Sequence, residues 1–204
     1  MSVNFCDSKT KINLMRAFAG ESQARNRYTF AGNKAKNMQY QIIYNIFNLT
    51  ANQEKEHAEI FYNHLKNEKG TKIEIANASY PIDNFDKLEE LLRAAQNDEY
   101  DEANIVYPEF ARTARDEGFP DIAYSFEKIA EVEKSHGDRF GCFASLIENS
   151  KLFEGDDDTE WLCLNCGHIH VGKNAPNQCP VCQHAQGYYV PRKYYNFIAD
   201  NYAC

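Results

Sequence analysis

The phrase E-K-x-H-x-x-x-F is written twice in this chain, as EKEHAEIF at 54–61 and as EKSHGDRF at 133–140. On an α-helix, residues three apart differ by about 60° and about 4.5 Å of rise, so Glu54 and His57 project to one side, as do Glu133 and His136. A single E-x-x-H is commonly a solvated helix face. Two copies constrain the fold much more tightly if the helices bring them to one level.

The flanking sequence supports long helices. From about Lys9 to Asn149 the chain is rich in Ala, Glu, Lys, Leu and Ile, with Pro only at 81, 108 and 120. Leu14, Ala17, Phe18, Glu21, Arg25 and Tyr28 stay near one helical face, and Ile42, Ile43, Ile46, Phe47, Leu49, Thr50 and Gln53 do the same. Breaks near 36–39, across the long stretch GTKIEIANASYPID at 70–83 and at 118–120 predict helices over about 9–36, 39–68, 85–117 and 120–149. Pro108 falls inside the third helix and predicts a kink or local adjustment there.

Level is then a matter of counting. Glu21 and Glu54 are equidistant from the first turn, and the pairs Glu99 with His136 and Glu102 with Glu133 are equidistant from the turn at 117–118. All fall about 23–28 Å from their turns at about 1.5 Å per residue. His64 shares the face of His57 but lies about 10 Å further along the axis, and is expected to be a packing or surface residue. The expected metal ligands are Glu21 from the first helix, Glu54 and His57 from the second, Glu99 and Glu102 from the third, and Glu133 and His136 from the fourth. One Glu on each of two helices with E-x-x-H on the other two is the known pattern of ferritin-like di-iron bundles. Carboxylates with two imidazoles suit iron or manganese. Five carboxylates keep the same net charge with two Fe(II) as with two oxide-bridged Fe(III), which favours a redox centre over burial of a new charge.

A second constraint lies at the C-terminal end. Of seven cysteines, Cys163 and Cys166 form one C-x-x-C, and Cys179 and Cys182 form another. Cys6, Cys142 and Cys204 remain as expected free thiols, and the odd count argues for a reducing cytoplasm over a disulfide framework. The acidic stretch SKLFEGDDDTE at 150–160 reads as a linker between a bundle at 1–149 and a small β-type metal domain at 161–204. Cys₄ sites of this spacing hold zinc in ribbons and iron in rubredoxins. A one-electron iron beside a di-iron bundle is the combination with a functional rationale.

The formal net charge of -8 and the lack of a Lys/Arg stripe speak against a nucleic-acid partner. No basic and apolar leader opens the chain, and no run of about 18 apolar residues suggests a membrane span.

The stretches FAGESQARNRY, NQEKEHAEIFYNHL, YPEFARTARDEGF, AEVEKSHGDRF and WLCLNCGHIHVG…APNQCPVC resemble rubrerythrin over nearly the whole chain. That resemblance implies a mainly α fold: a ferritin-like four-helix bundle with a long crossover between helices 2 and 3, and a rubredoxin-like Cys₄ domain. It also implies a carboxylate-bridged Fe–O–Fe centre, one Fe(Cys)₄ centre, and a peroxidase acting on hydrogen peroxide in oxidative-stress defence. Electrons would come from NAD(P)H through a separate reductase or rubredoxin, within a homodimer or higher homo-oligomer with possible helix exchange. His57 and Glu102 match the positions that alternate as ligands in the family, and Tyr28 and Tyr107 match tyrosines near the irons. Asp98, and Ala103 to Val106, depart from the family pattern. Iron handling by Fe(II) oxidation and a zinc module for partner binding are the alternative functions.

Overall fold

The computed structural model describes residues 3–76 and 78–197. Cys204 and the rest of 198–204 lie outside the described residues. Helix α1 spans Lys9–Asn37, α2 Gln41–His64, α3 Leu88–Asp101, α4 Tyr107–Glu117 and α5 Pro120–Glu148. A π-helical segment, Glu102–Val106, joins α3 to α4, so the expected third helix is one continuous rod with an adjusted centre.

Each end of the bundle has a local cause. The Ser8 hydroxyl caps α1 by accepting from the Lys11 amide. The Glu117 carboxylate, from the far end of α4, accepts from the Lys9 and Thr10 amides at 2.9 and 2.8 Å and from the Thr10 hydroxyl. That places an anion on the positive end of the α1 dipole. Helix α4 stops at Gly118, whose φ of +90° favours glycine, and Pro120 opens α5 at a position where a missing N–H costs nothing.

The π segment answers Pro108. The Tyr107 amide reaches back five residues to the Glu102 carbonyl, one residue more than in an α-helix. One inserted residue leaves Tyr107 about 20° from Glu99 around the axis, where an unbroken α-helix would leave about 80°. Both side chains therefore face the bundle interior, 1% exposed in each case.

Two apolar cores fill the bundle. Ile42, Ile43, Ile46, Phe47, Leu92 and Phe140 pack near the α1–α2 turn. Leu14, Phe61, Ala111, Ile122 and Phe126 pack toward the other end. Between them lies a buried polar layer of Glu21, Glu54, His57, Glu99, Glu133 and His136.

The crossover from α2 to α3 is a strap along α1. Arg16 donates to the Ala76 carbonyl, Arg27 pairs with Asp83, and Lys34 reaches the Phe85 carbonyl and Asp86. Arg16 to Lys34 covers about 27 Å of helix at 1.5 Å per residue, the length of bundle the strap must traverse.

The C-terminal domain is a three-stranded antiparallel sheet in the order β2-β1-β3, with β1 Glu160–Cys163, β2 Ile169–Val171 and β3 Tyr189–Pro191. Trp161 is fully buried at its centre and donates to the Gly172 carbonyl at 2.8 Å. The domain seats on the α1–α2 turn. At Gly187 a Cβ would stand 1.9 Å from the Gln39 carbonyl oxygen, so only glycine permits this approach. Tyr40 meets Phe153 and Phe143 meets Tyr194 across the same junction.

Candidate metal centres

The polar layer resolves into two overlapping groups. Glu21, Glu54, His57 and Glu133 place one donor atom each within 4.8 Å of one another, and Glu54, Glu99, Glu133 and His136 do the same. Glu54 and Glu133 belong to both. Glu21 and Glu99 each belong to one, at opposite ends, and the two imidazole rings stack at 5.7 Å.

These side chains converge on shared points rather than satisfying each other. His136 Nδ1 stands 3.0 Å from Glu54 and 2.8 Å from Glu133, yet both ring nitrogens lack an aligned hydrogen bond. Glu21 Oε2, Glu54 Oε1, Glu99 Oε2 and both oxygens of Glu133 are likewise buried without a hydrogen-bond partner. Orphaned acceptors at this density are rare in folded proteins and costly to keep. Two divalent cations, one per group, would occupy those lone pairs and balance the four carboxylates. The residues therefore fit the metal pair that their chemistry implies.

The electrostatics agree. Burial, then the neighbouring carboxylates, push Glu21 and Glu99 well above the usual carboxylate range. Burial opposes the charge on His57, but the adjacent carboxylates of Glu133 and Glu54 overcome it and raise the imidazole to about 10. Without cations, protons must substitute as the compensating charge.

Two phenols brace the terminal carboxylates. Tyr28 donates to Glu99 Oε1 at 2.5 Å and Tyr107 donates to Glu21 Oε1. Tyr28 then stacks toward Phe140 and Phe47, and Tyr107 toward Phe61 and Phe126. Hydrogen bonding and core packing thus occur together in both tyrosines.

Glu102 belongs to neither group. It lines a cavity of about 390 Å³ between α1, the strap and the π segment, together with Gly20, Arg27, Tyr80 and Tyr107. Asp98, one of the departures from the family pattern, accepts from Arg27 at 2.7 Å, and Arg27 also holds Asp83 of the strap. No sequence periodicity pointed to that cluster. Arg139, inside the second E-K-x-H phrase, is another addition: it donates to Thr50 and Gln53 beside the polar layer. His64 stays apart and pairs with Ser125.

Cys163, Cys166, Cys179 and Cys182 bring their sulfurs together within 4.8 Å, with 3.7 Å between Cys163 and Cys182 and 3.6 Å between Cys166 and Cys179. Cys6 and Cys142 are exposed free thiols. Among the described residues no helix is long and apolar enough to cross a membrane.

Known proteins share this pairing of sites. The rubrerythrin family model matches residues 13–143, and the model for the rubrerythrin rubredoxin-like domain matches 161–190. Rubrerythrin-1 of Clostridium acetobutylicum is 45% identical over 196 residues, covering 96% of this chain and 97% of its own length. Rubrerythrin of Porphyromonas gingivalis is 43% identical, covering 95% and 94%. A solved mixed-valent nigerythrin aligns with a TM-score of 0.60 at 28% identity over 93% of this chain and 94% of its own. A bacterioferritin of Desulfovibrio desulfuricans, at 22% identity, TM-score 0.62 and coverage of 70% and 82%, shares the bundle fold. With a ferritin-like di-iron site of carboxylates and histidines, a rubredoxin-like Cys₄ cluster, and relatives matched nearly end to end, the chain belongs to the rubrerythrin family.

Proposed function

We propose that the chain is a hydrogen peroxide reductase, fed with electrons one at a time through its Cys₄ cluster by a separate NAD(P)H-linked reductase or rubredoxin. The observation that carries this reading is the pairing, in one chain, of a cage for two cations with a four-thiolate cluster. The cage suits two-electron chemistry and the cluster suits one-electron traffic. Iron is the metal that gives both sites a role in one reaction.

On this reading Glu54 and Glu133, which belong to both groups, would help to hold both irons, Glu21 and His57 would hold one, and Glu99 and His136 would hold the other. The chemistry that a bound iron pair supplies is two-electron reduction at a substrate oxygen. Tyr28 and Tyr107 hold Glu99 and Glu21 in orientation through their hydroxyls. Glu102 is a carboxylate in the wall of the cavity beside the cage, and it would pass a proton to a departing oxygen. It is also a fifth carboxylate beside a cage whose four others are balanced by two divalent cations. It would therefore offset positive charge gained on oxidation, in alternation with His57 as the family resemblance implies.

The Cys₄ domain seats at the α1–α2 turn, about 20–25 Å along the helices from the polar layer at 1.5 Å per residue. Electron transfer falls steeply with distance, and the family resemblance implies that the cluster of one copy serves the cage of another in a homo-oligomer. Each copy of the chain carries every member of both cages, with or without helix exchange. Exposed free thiols at Cys6 and Cys142 suit a reducing cytoplasm.

Metal analysis with a visible spectrum, followed by turnover of Glu102→Ala, tests the proposal. Three irons per chain, a reducible red thiolate chromophore and slowed peroxide loss at unchanged iron content are expected. A colourless zinc domain, Fe(II) oxidation as the sole activity, or unchanged turnover in Glu102→Ala would overturn it.

A further inference from the structure

The cavity beside Glu102 is far larger than hydrogen peroxide needs. Its volume of about 390 Å³ is room for on the order of ten waters at about 30 Å³ each. Its wall is mixed: an apolar strip of Ala17, Pro81, Ile105, Val106 and Phe110 stands beside charged and polar side chains that include Arg16, Gln23, Asp98, Asp101 and Glu109. Ile105 and Tyr80 are 59% and 38% exposed and form its rim.

The inner end differs. There Glu102 faces Gly20, and a Cβ on that glycine would stand 3.8 Å from Glu102 Oε1 and 3.7 Å from the Tyr80 ring. Glycine therefore leaves open the space between carboxylate and ring. Anchors on both sides keep the strap from settling into the cavity: the Tyr80 hydroxyl donates to the Arg16 carbonyl at 3.1 Å, the Arg16 guanidinium donates to Ala76, and Arg27 grips Asp83. A cleft that joins an apolar strip to polar side chains suits an amphipathic small molecule.

We propose that this cavity accepts short straight-chain alkyl hydroperoxides, with the hydroperoxy group at Glu102 and the alkyl chain along Ile105, Val106 and Phe110, and that the chain reduces them. The O–O bond breaks; the alkyl-bearing oxygen leaves as the alcohol and the other as water. Two protons and two electrons are consumed, the electrons coming from the same external one-electron donor. The inference rests on the peroxide-reductase reading.

The test compares ethyl, butyl and hexyl hydroperoxides with hydrogen peroxide on the iron-loaded protein, with the product alcohols measured by gas chromatography. Each buried methylene should lower KM about fourfold with little change in kcat. Calorimetry with ethanol, butanol and hexanol, which cannot be reduced, should show the same gain per methylene and a negative heat-capacity change. Ile105→Asp should flatten both series. Hydrogen peroxide turnover with no dependence on alkyl length in either series would overturn this inference alone. Failure to reduce any peroxide, hydrogen peroxide included, would overturn the underlying reading and this one with it.

Discussion

Glu54 and Glu133 reach the same pair of imidazoles from opposite helices: Glu54 lies 3.1 Å from His57 and 3.0 Å from His136, and Glu133 lies 2.8 Å from each. Glu21 approaches only His57, at 3.9 Å, and Glu99 only His136, at 3.5 Å. Shared and terminal carboxylates should therefore differ in what their loss costs. Glu133→Ala should empty both bundle positions and leave the Cys₄ iron, whereas Glu21→Ala should lose one bundle iron. Iron per chain by elemental analysis checks this; equal losses in the two variants would contradict the shared role.

Tyr28 and Tyr107 each donate to a buried carboxylate while packing against phenylalanines. Tyr→Phe removes the hydrogen bond and keeps the ring, so the loss isolates the hydroxyl. In the iron-loaded protein, where cations keep both carboxylates ionised, losing such a hydrogen bond costs about 1.5–3 kcal/mol. At roughly 2–4 °C per kcal/mol for a chain of this size, Tm in a thermal melt should fall by about 3–12 °C in either variant. A change under about 1 °C would mean that packing alone holds the rings.

The π segment sets where Tyr107 points. Deleting Asn104 removes the extra residue and should return 101–107 to α-helix without rotating α4, because seven α-helical steps also leave Tyr107 about 20° from Glu99. Tyr107 would keep Glu21, and Ala111 and Ala114 would stay in the core. Pro108 would then stand in an α-helix interior, so the deletion variant should lose about 3 kcal/mol in denaturant unfolding and regain most of it when Pro108→Ala is added. A loss that Pro108→Ala does not recover would contradict this account.

Glu117 gives a pH dependence away from the metals. Burial works against its charge, but hydrogen bonds from Thr10 and the Lys9 and Thr10 amides prevail and hold its carboxyl below the usual range. A depressed folded-state pKa means that its stabilisation is present above the unfolded value of about 4.3 and is lost as pH falls through the folded value. Glu117→Gln should therefore be less stable than the parent by about 1 kcal/mol at pH 7, and the gap should close below about pH 4. Parallel unfolding curves at both pH values would contradict the assignment.

Counting residues from the turns was enough to bring Glu21, Glu54, His57, Glu99, Glu133 and His136 to one level, because rise per residue is nearly constant along a helix. The same counting set His64 apart. Pro108 signalled that the third helix must adjust, but whether a proline yields a kink or a π segment depends on what the far side must bury, here Tyr107. Glu102 shared the level of the ligands, yet three residues from Glu99 it sits about 60° around the axis. Its place at a cavity wall depends on the strap, which has no periodicity to read. The pairing of Arg27 with Asp83 and Asp98 escaped notice for the same reason, since long-range ion pairs leave no local signature. The Glu117 cap on α1 joins positions more than a hundred residues apart and was equally hidden.

The most direct measurement counts electrons. Iron-loaded protein, given a one-electron donor and limiting hydrogen peroxide under anaerobic conditions, should consume two donor electrons per peroxide. Cys179→Ser should lose that turnover while keeping its bundle iron. Peroxide reduction at the parental rate in Cys179→Ser would contradict electron delivery through the thiolate cluster, and with it the central claim.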